Sequence, residues 1–192
     1  MAHIAIVVGH ARRDTYCEAL GMAYRRGAES GGHVTTLFVL SKMTFDPILH
    51  EGFSHEQQLE PDLQAAQHAI ARADHIVVVF PLWMGTLPAI LKGFFERLFQ
   101  PGFAVERNDH DTGYRPLLKG KSARIIMTMG MPALVYRWWF GAYALKMLKR
   151  NILGFVGITP VRSSIFGMVG IATDAQRRRW LSRVEALGRA GR

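Results

Sequence analysis

Four consecutive apolar residues, Val77-Val78-Val79-Phe80, constrain the fold of this chain more than any other stretch. A strand with one solvated face alternates apolar and polar side chains; this run does not, so it needs cover on both faces. A parallel sheet with helices in front and behind supplies that cover. Pro81 is predicted to end the strand, because proline has no N–H to give a central ladder. A loop, Leu82-Trp83-Met84-Gly85-Thr86-Leu87, follows, and Pro88 stands where a first helical turn tolerates proline. Residues 89–99 have helical content and spacing. Ligands of open parallel sheets bind beyond the carboxyl ends of the strands. Trp83, Met84 and Gly85 there read either as a wall for a flat aromatic ligand or as ordinary core filler.

The rest of the chain alternates in the same manner. Residues 3–8 (HIAIVV) are strand-like, and residues 9–14 form a loop before a helix that begins at Thr15. Thr15 and Glu18 fit a capping box, in which the hydroxyl accepts a first-turn N–H and the carboxylate reaches back. Gly31-Gly32 stops that helix, residues 33–40 are a second strand, and residues 41–58 are an irregular excursion. Residues 62–73 form an amphipathic helix before the run at 77–80. Residues 100–121 are a polar loop too long for a plain connector, which marks them as functional or as part of an interface. A fourth strand at 123–129, a helix at 136–155, a fifth strand at 161–166 and a closing helix at 173–190, capped by Thr173 or Asp174, complete the pattern.

This order predicts one α/β domain over residues 1–192, a flavodoxin-like three-layer sandwich with a five-stranded parallel sheet in the order 2-1-3-4-5. The switch point then lies between the first and third strands. Loops 9–15, 81–86 and 128–136 should meet there.

Composition removes several alternatives. With Cys17 as the lone cysteine, an internal disulfide is ruled out and a thiolate zinc site is implausible, which fits a reducing, cytoplasmic setting. The amino-terminal apolar run has no preceding basic region or cleavage site and reads as a first strand rather than a leader. Residues 133–148 are interrupted by Arg137 and Lys146, so they make a poor spanning helix but could form an exposed apolar face. The net charge of +9 divides into −3 over residues 1–96 and +12 over residues 97–192. Such a half attracts phosphate-bearing ligands or acidic surfaces; no zinc-finger or basic-zipper pattern accompanies it, so nucleic acid is not the expected partner. The histidines of His50-Glu51 and His55-Glu56 are five apart rather than four, and Gly52 lies between them, so a metalloprotease motif is rejected and no metal is expected. Cys17 is rejected as a nucleophile, since no neighbouring base is legible and a small buried residue is the simpler reading.

The loops themselves suggest a ligand. The first leads into a helix amino terminus, where free N–H groups and the dipole favour an anion, with His10, Arg12, Arg13 and Thr15 as further donors. A capping box with solvated arginines explains the same residues. Neither a GxGxxG nor a Walker pattern is present. The third loop, Thr128-Met129-Gly130-Met131, offers a hydroxyl and a glycine that allows close approach, and Tyr136 follows. A flavin uses all of these features: a phosphate for the helix end, a flat ring for apolar walls, and polar ring edges for backbone donors. Its redox chemistry belongs to the cofactor, which suits a chain with no convincing triad or carboxylate pair.

The block Pro81-Leu82-Trp83, then PAILKGFFERLF over residues 88–99, then Gly102-Phe103-Ala104, resembles the flavodoxin-fold NAD(P)H:quinone reductases of the DT-diaphorase type and related bacterial NAD(P)H oxidoreductases. Weaker matches at residues 10–15, 45–48, 62–67, 73–74, 128–130 and 154–157 extend the resemblance over nearly the whole chain. It implies a homodimer with FMN or FAD at sites near the subunit interface. By matching position it places His10, Thr15, Tyr16 and Cys17 on the phosphate loop, and Gln67 near the cofactor. Pro81, Leu82, Trp83, Met84 and Gly85 fall beside the isoalloxazine ring, and Thr128, Met129, Gly130 and Met131 on its pyrimidine side. Tyr136 matches a tyrosine implicated in hydride transfer. The implied reaction is ping-pong: hydride passes from NAD(P)H to flavin N5, and a quinone then accepts two electrons. An azo or nitro acceptor, an electron carrier and a flavin-bearing regulatory partner of a membrane transporter are the alternatives.

Departures from the family pattern also appear. Cys17 replaces an asparagine, Thr128-Met129-Gly130-Met131 replaces a Thr-Thr-Gly-Gly run, and the histidine partner of the tyrosine has no equivalent in residues 137–142. FMN and FAD both fit, because no adenine-binding signature is legible. Trp138-Trp139-Phe140 are expected in the core, with a dimer contact as the second reading.

Overall fold

The apolar run lies at the centre of the sheet. In the computed structural model, which describes residues 1–53, 55, 57–107 and 113–191, it belongs to β3 (His75–Pro81), whose seven residues are all buried. β1 (His3–Val8) and β6 (Ser122–Thr128) pair with it in parallel, and β2 (Val34–Val39) and β7 (Val161–Phe166) complete the sheet in the order β2-β1-β3-β6-β7. In strand count this is the expected 2-1-3-4-5 arrangement.

Side chains leave the sheet alternately, which builds two cores. Ala5, Val7, Ile76, Val78, Phe80, Ile125 and Met127 pack against α2 (Pro61–Arg72) and α3 (Ala89–Leu98). Ile4, Ile6, Val8, Val77, Val79 and Ile126 pack against α1 (Tyr16–Ser30) and α6 (Asp174–Arg189). No helix among the described residues is long and apolar enough to cross a membrane.

The second core depends on a close crossing of α1 and α6. A Cβ added to Gly27 would stand 1.9 Å from the Glu185 carbonyl oxygen, and one added to Gly188 would stand 2.1 Å from that of Tyr24. Both obstacles are backbone, so only movement of a whole helix could relieve them. α6 starts with a full capping box: the Thr173 hydroxyl accepts from Gln176 N–H and the Gln176 side chain accepts from Thr173 N–H.

Three expectations change and one is sharpened. Pro81 ends β3 as expected, but from inside the strand: it is the last residue, paired with Thr128, and Leu82 N–H still donates to the Thr128 carbonyl at 2.8 Å. The N–H that proline lacks belongs on the β1 side, where the last contact is Gly9 N–H to the Val79 carbonyl, so no ladder bond is lost. The loop over 100–121 contains an antiparallel pair, β4 (Val105–Arg107) with β5 (Tyr114–Pro116); residues 108–112 between them lie outside the described residues. The helix expected over 136–155 is broken into α4 (Ala133–Trp138), α5 (Tyr143–Met147) and a π-helical stretch, Leu148–Leu153, because Gly141 and Ala142 adopt φ values of 61° and 51°. Trp138 and Trp139 are each 84% exposed and Phe140 is 49% exposed, so this cluster is not core. A short helix pinned on the Tyr136 side leaves its other side to solvent.

A buried polar pair sits at the amino edge of the sheet, remote from the loops. His75 Nδ1 is 2.8 Å from Ser122 Oγ, and its ring stacks 6.4 Å from Tyr24. Burial, then the positive charges of Arg124, Arg162 and His33, push its pKa from 6.5 down to about 4.

Two outcomes are expected. Alanine favours a helix by about 1 kcal/mol over glycine, yet Gly188→Ala should destabilise the protein by about 1–3 kcal/mol or more, read as a lower urea midpoint. For His75, acid protonates the unfolded chain first, so stability is intact above 6.5 and is lost as pH falls toward 4. Denaturant titration near pH 4.5 should show about 2–3 kcal/mol less stability from this group than at pH 7, and His75→Gln should remove that part of the slope.

Candidate functional site

The carboxyl ends of β1, β3 and β6 bring three loops together. Gly9 N–H donates to Val79, joining the first loop to β3, and Leu82 N–H donates to Thr128, joining the second to β6. The His10 ring meets Trp83 edge-on, with centroids 4.9 Å apart at 76°. Cys17 Sγ lies 3.3 Å from Thr128 Oγ1, which links the helix after the first loop to the start of the third. The convergence expected from strand order is therefore present.

The first loop and the helix end after it form a cradle of donor groups. Thr15 is the N-cap of α1, and its hydroxyl accepts Glu18 N–H at 3.3 Å, which leaves the hydroxyl hydrogen available. Among the described residues, the N–H groups of Thr15, Tyr16 and Cys17 have no acceptor, as expected for a first helical turn. The capping box forms only by half. Glu18 turns to Asp14 N–H and to the Lys42 ammonium instead of Thr15 N–H, and those contacts, the Lys42 hydrogen bond first, hold its carboxyl below the usual range. Arg13 Nε donates to the Ser41 carbonyl, while Arg12 is exposed.

His10 is buried, and its Nδ1 accepts Arg12 N–H at 2.9 Å. That bond assigns the ring proton to Nε2. Burial and then Arg12 lower the His10 pKa, so at neutral pH the ring is an uncharged donor at Nε2.

The second loop is a tight turn. Trp83 and Thr86 exchange two backbone hydrogen bonds, and Met84 and Gly85 both have positive φ, 47° and 78°. This is a type I′ geometry, which methionine rarely adopts. Trp83 is 41% exposed and Met84 is fully exposed, so neither is core filler. Pro81 and Leu82 lie at the turn's base.

In the third loop, Thr128 and Met129 are buried while Gly130 is exposed. A Cβ placed on Gly130 would meet no atom within 4 Å. The loop is backed by a segment that sequence reasoning missed. Met129 N–H donates to Phe166, Val169 N–H donates to Met129, and Met168 N–H donates to Met131. Gly167 packs directly against Met131 and Ala133 backbone, where an added Cβ would come within 2.6 Å of each. The legible signal was a glycine at the carboxyl end of the last strand.

Among the described residues, three expected side chains make no polar contact with the first or second loop. Tyr136 is buried at 2% exposure, and its hydroxyl accepts Leu145 N–H at 3.2 Å, so it ties α4 to α5 rather than presenting its oxygen to the loops. Burial is the first cause that raises its pKa. The Tyr16 hydroxyl donates to the Arg177 carbonyl of α6, so only its backbone faces the cradle. Gln67 is half-buried in the middle of α2 and, among the described residues, makes no hydrogen bond to the three loops. Among the described residues there is no cluster of metal-ligating side chains; Glu56 of the rejected motif lies outside them, and His50 pairs with Asp46 at 2.7 Å.

Cys17 is 3% exposed, and burial pushes its thiol up to about 11. The side chain therefore fills space against Thr128, while the N–H serves the cradle. A thiol near 11 rather than 9 carries about a hundredfold less thiolate at pH 8. The native protein should accordingly react with an aromatic disulfide reagent at least about 100-fold more slowly than the urea-unfolded chain.

Comparison with known proteins gives this geometry a context. A family model described as having the flavodoxin-like fold matches residues 2–187. A Haemophilus influenzae protein named as an NAD(P)H oxidoreductase is 32% identical over 144 residues, covering 72% of this chain and 70% of that protein. An FMN-dependent NADH:quinone oxidoreductase of Ruegeria pomeroyi is 30% identical over 103 residues, 43% of this chain and half the length of that relative. The crystal structure of Smu.1420 from Streptococcus mutans superposes with a TM-score of 0.81 at 26% identity, covering 97% of this chain and 98% of that one.

Proposed function

The chain belongs to the family with the flavodoxin-like fold, among the NAD(P)H oxidoreductases, and from that premise we propose that it is a flavin-dependent NAD(P)H oxidoreductase that reduces a quinone by two electrons. The observation that carries the reading is the meeting of an acceptor-free helix amino terminus, an exposed Trp83 turn and the open space over Gly130. These features match a phosphate, a flat ring and a close approach at the ring's polar edge.

In this reading the N–H groups of Thr15, Tyr16 and Cys17, with the Thr15 hydroxyl, hold the phosphate. Pro81, Leu82, Trp83, Met84 and Gly85 flank the ring, and the backbone of Thr128, Met129, Gly130 and Met131 meets its edge. FMN is the favoured flavin and NADH the favoured donor, by the name of the Ruegeria relative. When bound, the flavin supplies the hydride-accepting and hydride-donating chemistry. The chain's own residues bind and orient. His10 offers Nε2–H and braces Trp83, and the segment after β7 holds the third loop from behind. Tyr136 acts as a positioning residue: through Leu145 it sets the path of the chain that leaves the third loop. Donor and quinone take turns at one open face. A second copy is assigned to the outer flank of α3, where Ile48, Phe53 and Ile90 line an apolar hollow.

The decisive measurement is reconstitution with FMN and with FAD, followed by gel filtration and NADH or NADPH oxidation with menadione. A yellow protein that turns over with parallel double-reciprocal lines is expected; a protein that stays colourless overturns the reading. Gly130→Val separates cofactor loss from unfolding. Beyond its two chain neighbours, no atom of the described residues lies within 4 Å of the added Cβ, so the melting temperature should hold, while flavin affinity should fall about 10-fold or more.

A further inference from the structure

The fold leaves a large aromatic surface uncovered beside the third loop. On α4 and the turn after it, Leu134, Trp138 and Trp139 are exposed by 69%, 84% and 84%, and Tyr143 at the start of α5 by 73%. Positions 134, 135, 138 and 139 share one side of the helix, opposite buried Tyr136. The segment after β7, joined to the third loop through Met168 N–H, adds Ile171 at 75% exposure.

Cations lie on the same stretch of chain. Arg137, Lys146 and Arg150 are exposed and Lys149 is half-buried. None of the four makes an ion pair among the described residues. Lys146 sits 5.5 Å over the Tyr143 ring. From residue 113 to residue 173 the chain has nine Lys and Arg and no Asp or Glu. The positive charges also crowd one another: burial and then Arg137 and Arg124 hold the Lys149 ammonium below the usual lysine range.

We infer that this face docks on an anionic lipid bilayer, with Trp138, Trp139 and Tyr143 entering the headgroup region and Arg137, Lys146, Lys149 and Arg150 meeting the lipid phosphates. Tryptophan and tyrosine favour the interface because one end of each ring system is apolar and the other is polar. Basic side chains around them add attraction to a negative surface, and two weak signals together give stable attachment where one alone does not. Charge argues against a second copy on the same face. A two-fold contact sets the patch against a second copy of the same patch, so four cations would meet four cations without a carboxylate between them. The docked face borders Thr128–Met131, so an apolar acceptor dissolved in the bilayer would reach the loops without crossing bulk water.

The test is sedimentation of the purified protein with vesicles of phosphatidylcholine alone and of phosphatidylcholine with an equal part of phosphatidylglycerol, with tryptophan emission read in parallel. Cosedimentation with the anionic vesicles, a blue shift of emission, and binding at least about 10-fold weaker to the neutral vesicles or in high salt are expected. W138S/W139S should weaken binding about 10-fold or more, and K146E/R150E should do the same through charge alone. Both pairs need to keep the wild-type melting temperature. Failure to sediment with anionic vesicles overturns the inference. So does equal binding to both vesicle types, or a dimer in analytical ultracentrifugation that W138S/W139S dissolves, which would mark the patch as a contact between copies. None of these readouts needs bound flavin, so the outcome is independent of the proposed redox reaction.

Discussion

The parallel pairing at the carboxyl end of β3 is the constraint on which the site depends. Val79 accepts from Gly9 on one side and Thr128 accepts from Leu82 on the other. These bonds hold the origins of three loops at adjacent sheet positions, about 4.8 Å apart. β1 leaves the sheet just beyond this point, which is where an open parallel sheet offers a crevice. Pro81 belongs to the same arrangement: proline is tolerated in a central strand here because its missing donor faces the side that β1 has vacated.

Each loop turns that position into different chemistry. The first becomes a donor array because Thr15 caps α1 while Glu18 is drawn away to Asp14 and Lys42. The second is rigid because Trp83 and Thr86 close a turn that places Met84 in an unfavourable backbone region. Such strain persists only where the surroundings over-determine it, and it concentrates at sites of function. The third is steep and open, with Gly130 bare and the segment after β7 locked behind it. Burial keeps the titratable neighbours quiet, since His10 and Cys17 are both uncharged near neutrality. Neither of these two side chains therefore changes charge near neutrality.

The aromatic surface beside the crevice follows from the break at Gly141 and Ala142. A continuous helix over 136–155 would have spread Trp138, Trp139 and Phe140 over more than half of its circumference, at about 100° per residue. The break instead produces two short helices fastened by the Tyr136–Leu145 bond, and the tryptophans remain outside. The bond that ties Tyr136 to α5 thus belongs to the same arrangement as the exposed face.

Strand number, parallel order and the meeting of three loops at the carboxyl edge of the sheet were legible in the sequence. Each rests on short-range pattern: the unalternating run at 77–80, the Thr15 cap, the glycines and prolines between periodic segments. What the pattern could not decide were facts about distance between remote residues. The partner of Tyr136, the backing of Met129 by Phe166, the glycine crossing of α1 and α6 and the exposure of Trp138 and Trp139 depend on which surfaces meet after folding. An apolar residue looks the same in sequence whether its neighbour is a helix or water. Hydrophobic periodicity therefore determined the architecture of this protein, and tertiary packing alone decided which of its aromatic side chains are core, which are scaffold and which are left to meet a partner.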